Sequence, residues 1–163
     1  MYCKTYFPRI YTYIINMNPI VAVAAIGYHI FWRLITMKEK EIKVLKVEPG
    51  KAPEVVFLKN ELHELQKAVS IGAPDVGLIE IIDINDEVCI LCNEEGKLLG
   101  LEPNRRFRND ILVGVFYVCG QDYDEGELAS LSEPMFEHCS KLFAVPDVID
   151  PDEVKMLTEF YVI

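Results

Sequence analysis

Three glycine signatures of nucleotide and acyl-transfer chemistry are missing from this chain. It has no GxGxxG for a dinucleotide, no GxxxxGK to cradle phosphates and no GxSxG nucleophile elbow. Histidine is scarce. His29, His63 and His138 are scattered along the sequence, and isolated imidazoles build neither a zinc site nor a Ser-His-Asp triad. With no convergent acid, base and nucleophile, the residues do not point to an enzyme, and neither cofactor nor metal is expected. Acids are absent from the first 36 residues, which hold Lys4, Arg9 and Arg33. The rest of the chain therefore carries 13 of the 16 basic and all 26 acidic side chains, a formal charge of −13. Such a surface repels phosphate, which argues against direct nucleic acid binding. An even cysteine count is lacking too. Cys3, Cys89, Cys92, Cys119 and Cys139 lie mostly in apolar runs, as reduced core cysteines of a cytoplasmic protein do, rather than in a secreted disulfide scaffold.

Against these absences, 51% of residues are hydrophobic, and 163 residues are enough for one domain with a real core. The longest uncharged run, Ile10 to Trp32, has 23 residues between Arg9 and Arg33. Its length fits a single membrane span through residues 10–32. Asn16, Asn18 and Pro19 interrupt it, and the string "AVAA" resembles a signal cleavage site. A third reading takes residues 1–36 as a dispensable leader, with a domain opening at Met37. The chain thus divides into an apolar leader (1–36), a main domain (37–143) and a helical appendage (144–163).

In the main domain, Ile42 to Val47 and Val55 to Leu58 read as strands around the turn "EPGKAPE". Asn60 is placed to cap a helix with Leu62, Leu65 and Val69 on one face, and Gly72 follows its end. Leu78 to Ile84 and Val88 to Cys92 are strands. Asn93 to Gly96 fits a type I turn that returns Lys97 to Leu101 alongside its partner. The run "ILVGVFYVC", Ile111 to Cys119, is apolar on both alternating faces, the pattern of a central strand covered on two sides. Ser132 opens a helix bearing Met135, Phe136, Cys139, Leu142 and Phe143 at helical spacing; Asp150, Pro151 and Glu153 open another. The expected architecture is α+β: a mixed or antiparallel sheet of about five strands, two main helices packed on it, and an apolar N-terminal helix ahead of it.

Cys89 and Cys92 form a CxxC, but an i, i+3 spacing within a strand puts the two thiols on opposite faces, so both read as core. His138 and Cys139 diverge by about 100° on a helix and do not form a thiol and base. "DYDEGE", Asp122 to Glu127, lacks the glycine and glutamate spacing of a calcium loop and reads as a solvated acidic loop. Most unusual is the basic segment "EPNRRFR", residues 102–108. Asn104, Arg105 and Arg106 after the kink at Pro103 either pair with acids nearby or form a binding site for a small anionic, nucleotide-like ligand, because arginine forks grip carboxylate and phosphate.

The strings "IKVLKVEPGKAPEVV", "ELQKAV", "ILCNEEGKLLGLEPNRR", "ILVGVFYVCG" and "ASLSEP", in this order, resemble the bacterial and phage family known as domain of unknown function 3846, from about Ile42 to Phe143. The hairpin and "LGLEPNRR" are the most specific part. Glu102 stands where members usually have proline, whereas Pro103, Asn104 and Arg105 follow the pattern. The resemblance implies a small accessory protein of phages and conjugative elements that starts at Met37, and it implies no established activity. Together with the charge, it suggests a non-catalytic acidic module for a basic protein partner. The setting expected is cytoplasmic, or membrane-anchored if residues 10–32 span a bilayer.

Overall fold

The computed structural model describes residues 41–122 and 126–160. The apolar run 10–32, the start at Met37 and three residues of the acidic loop lie outside the described residues. Among the described residues, no helix is long and apolar enough to cross a membrane. The described residues lie within one compact unit.

The fold is α+β. Strands β1 (Glu41–Val47), β2 (Glu54–Lys59), β3 (Ile79–Asn85), β4 (Val88–Asn93) and β7 (Phe116–Asp122) form an antiparallel sheet in the order β2-β1-β7-β4-β3. The short β8 (Glu127–Ala129) adds to the end of β7. A separate hairpin of β5 (Pro103–Phe107) and β6 (Asp110–Val113) lies over one face. Three helices complete it: α1 (Leu62–Val69), α2 (Glu133–Leu142) and α3 (Pro151–Phe160).

Both central strands are buried on two faces, as their unbroken apolar runs require. On β4, Val88, Ile90 and Cys92 join one core while Cys89 and Leu91 join the other. The CxxC is therefore split between the two cores, as its spacing predicts. The second core is closed by Leu65 and Val69 of α1. The first is closed by Phe136 and Cys139 of α2 and by Phe143, whose ring meets Phe116 edge-on at 5.2 Å and 73°. That geometry contributes about 0.5–1.5 kcal/mol beyond burial.

Two strand assignments change. The run Ile111 to Cys119 is not one strand. It breaks at Gly114, which adopts φ +66°, and β6 and β7 enter different sheets. A Cβ at Gly114 would stand 2.8 Å from a Leu101 methyl, so the turn needs glycine for space as well as for angle. Lys97 to Leu101 is a compact turn rather than a return strand. The partner of β6 is Pro103–Phe107, and this adds the hairpin to the expected sheet.

The caps differ in part as well. Glu61, not Asn60, is the N-cap of α1. The amide of Asn60 is turned to the Leu128 carbonyl at 3.0 Å, so it ties the helix start to β8. Ser132 holds the N-cap position of α2 without a hydroxyl bond, whereas Asp150 Oδ1 accepts the Asp152 N–H at 3.0 Å at the start of α3. α3, expected as an appendage, packs Val154 and Leu157 against Leu101, Ile111 and Val113.

Candidate functional site

The basic segment becomes strand β5, whose register against β6 shifts between Pro103 and Arg105, and there two successive side chains leave the surface. Arg105 is only 2% exposed and Asn104 is fully buried. The Asn104 amide donates to the carbonyls of Val47 at 3.0 Å and Gly114 at 2.6 Å, and its oxygen accepts from Arg105 at 2.8 Å. All five N–H groups of Arg105 are used. Nε and Nη2 donate to the Phe143 carbonyl at 3.1 Å each, Nη2 also to the Lys51 carbonyl at 2.6 Å, and Nη1 to the carbonyl and side chain of Asn104. Burial lowers the pKa of this guanidinium, partly offset by Asp147. A fork that would face an outside anion is instead turned inward, where it joins the β1–β2 turn, the end of α2 and its own strand.

The other two arginines point out but are engaged. The Arg106 guanidinium forms a fork with both Glu153 oxygens, and its main-chain N–H donates to Asp147 at 2.7 Å. This pair raises the pKa of Arg106 and lowers that of Glu153. Arg108 donates to the carbonyls of Asp83 at 2.8 Å and Ile84 at 3.2 Å. Of the three residues expected to read an anion, Asn104 and Arg105 thus brace the interior and Arg106 fastens α3.

Among the described residues, the cysteines offer no nucleophile. Burial pushes the thiols of Cys89 and Cys92 up to about 12 and raises those of Cys119 and Cys139. Thiolate is therefore negligible near neutrality. Cys139 is buried while its neighbour His138 is exposed, as the helical divergence requires. Among the described residues, no three His, Cys, Asp or Glu side chains are grouped to hold a metal ion.

Two surface features remain. At one end of the sheet the β3–β4 hairpin carries Asp83, Asp86 and Glu87, and the β7–β8 hairpin carries Asp122 and Glu127. Gln121 joins the two. Its N–H donates to the Glu87 carbonyl at 2.9 Å, and its side-chain amide donates to Asp83 at 3.1 Å and the Asn85 carbonyl at 2.9 Å. Elsewhere a cleft of about 450 Å³ opens between β3, β4 and the β5–β6 hairpin. Ile82 and Leu112 line its apolar part and Glu80, Glu94, Lys97 and Asp110 its polar part. The Lys97 ammonium is held by both Asp110 oxygens, at 2.5 and 2.6 Å. Sequence reading missed both features. The acids of the two hairpins are far apart in the chain, and only the adjacency of β4 to β7 brings them together.

No curated protein and no solved structure matches the chain. A family model described as "Domain of unknown function (DUF3846)" matches residues 42–144, from the second residue of β1 to just past α2. The chain therefore belongs to the DUF3846 domain family.

Proposed function

We propose that this protein is a non-catalytic, acidic protein-binding module, in the service of a phage or other mobile element, that engages a basic partner protein. The observation that carries the reading is the joined acidic end of the sheet, where Gln121 of β7 bonds to Asp83, Asn85 and Glu87 and so sets Asp122 and Glu127 beside them. Carboxylates gathered at one end of the sheet steer a cationic partner toward one orientation, which raises the rate of encounter. The chemistry of the rest supports it. Burial raises the pKa of the four described thiols, and the arginines that would select a small anion are bound to carbonyls or to Glu153. The mobile-element setting rests on the family resemblance alone.

The test is an NMR titration with a labelled oligolysine peptide. Amide shifts should concentrate on the two hairpins rather than spread over the acids of α1 and α3. Affinity should fall at least tenfold as salt rises from about 0.05 to about 0.5 M. Asp86→Asn with Glu87→Gln should weaken it about twofold to tenfold. Binding that ignores both salt and these substitutions defeats the reading.

A further inference from the structure

β3 is an edge strand, and its exposed side has the properties of a template. The Glu94 N–H donates to the Leu78 carbonyl at 3.1 Å, so Leu78 turns its carbonyl toward β4. Glu80 and Ile82 pair with Cys92 and Ile90 in register. Strand alternation then points the main-chain groups of Ile79 and Ile81, and of Asp83 beyond them, away from the sheet. The Asp83 carbonyl is the one already met, by the Arg108 guanidinium at 2.8 Å. An arginine of the chain itself thus caps the far half of this edge and leaves the half from Ile79 to Ile82 open among the described residues.

Edges of this kind are commonly guarded by lysine or proline. β3, "IEIIDIN", has neither, and its only charges are Glu80 and Asp83. Its two faces offer different pockets. Ile81 is 55% exposed on one face. On the other, Glu80 and Ile82 form one wall of the 450 Å³ cleft, with Glu94 on its rim. The cleft holds Glu80, Glu94 and Asp110 against the single cation Lys97, which Asp110 already grips. A long cationic side chain fits such a site, because its methylenes cover apolar surface while its head meets carboxylate.

We propose that the open edge of β3 accepts an extended basic segment of the partner protein as an added strand. The main chain of that segment pairs with Ile79 and Ile81. One of its Arg or Lys side chains lies in the cleft, stem over Ile82 and Leu112, head at Glu80 and Glu94. Strand addition of this type draws affinity from main-chain bonds and specificity from alternate side-chain pockets. A second copy of this chain is a poor occupant, since it would bring another Glu80 and Asp83 to a strand that has no cation of its own and carry a net charge of −10. The proposal rests on the basic-partner reading above and adds to it the place and the binding mode.

The experiment uses the full chain and a blocked peptide of alternating arginine and valine. Bound peptide should slow hydrogen exchange at the Ile79 and Ile81 amides at least tenfold. Glu80→Gln with Glu94→Gln should weaken binding about tenfold without moving the hairpin shifts caused by oligolysine. The same peptide N-methylated at alternate residues cannot supply the ladder donors and should bind at least tenfold more weakly to the unaltered protein. Three results overturn the proposal: unchanged exchange at Ile79 and Ile81 under saturating peptide, indifference to N-methylation, or peptide-free protection of these amides that grows with protein concentration, which assigns the edge to a second copy. If the edge fails while salt-dependent shifts persist on the hairpins, the acidic module stands and only its strand-addition mode falls. If neither basic peptide binds at low salt, both fall.

Discussion

Arg105 and Arg106 are adjacent in sequence and opposite in consequence, because a strand sends neighbouring side chains to opposite faces. Arg105 meets carbonyls in the interior, and a planar guanidinium with five donors satisfies an arrangement that an ammonium cannot. Arg105→Lys keeps the charge but leaves buried carbonyls without partners, and should cost about 2–4 kcal/mol in urea unfolding. Arg106 works through Glu153, and the sign of its pH effect follows from the shift. The bond to Arg106 lowers the carboxyl pKa of Glu153. Its stabilisation is therefore complete above the ordinary carboxylate range and is lost as pH falls through the lowered value. Arg106→Ala should flatten this acid limb, seen as a falling protection factor of α3 amides, corrected for the intrinsic exchange rate, in the wild type on acidification and no such change in the variant. Nothing in the letters "NRRF" tells which arginine is inside. That depends on the register of β5 against β6.

At the scale of elements, periodicity was informative where one face meets one core. The Leu65 and Val69 face of α1, the Phe136 and Cys139 face of α2 and the two-sided burial of β4 all follow from spacing. It failed where a buried run can be divided without exposing anything. Every residue from Ile111 to Cys119 is buried whether the run is one strand or two, so the apolar pattern carries no sign of the break at Gly114. The glycine was the available signal, since a lone glycine in a strand pattern marks a bulge or a close approach. Gly114→Ala should cost about 1–3 kcal/mol, from the positive φ and from the Leu101 methyl 2.8 Å away. The loss would show as a lower urea midpoint. The β5–β6 hairpin over the cleft should exchange faster than β7 in that variant, because the strain sits where the two sheets part.

For the whole molecule, charge is the dominant surface property. A formal charge of −10 on 163 residues makes the compact state repel itself. Raising salt from about 0.02 to about 0.3 M should raise the thermal midpoint by a few degrees, since a shorter Debye length screens the repulsion among exposed carboxylates. A midpoint that falls with salt would mean that the ion pairs, such as Lys97 with Asp110 and Arg106 with Glu153, outweigh the repulsion. The sequence by itself determined the acidity, the α+β class, the burial of Cys89, Cys92, Cys119 and Cys139 and the positions of most described helices and strands, because each is a local or additive property of the residues. Only the tertiary structure decided that Asn104 and Arg105 form an internal brace, that two distant acidic hairpins share one end of the sheet and that β3 has, among the described residues, an open edge beside a carboxylate-rimmed cleft. These depend on strand order and register, which bring together residues far apart in the chain and which local periodicity does not encode.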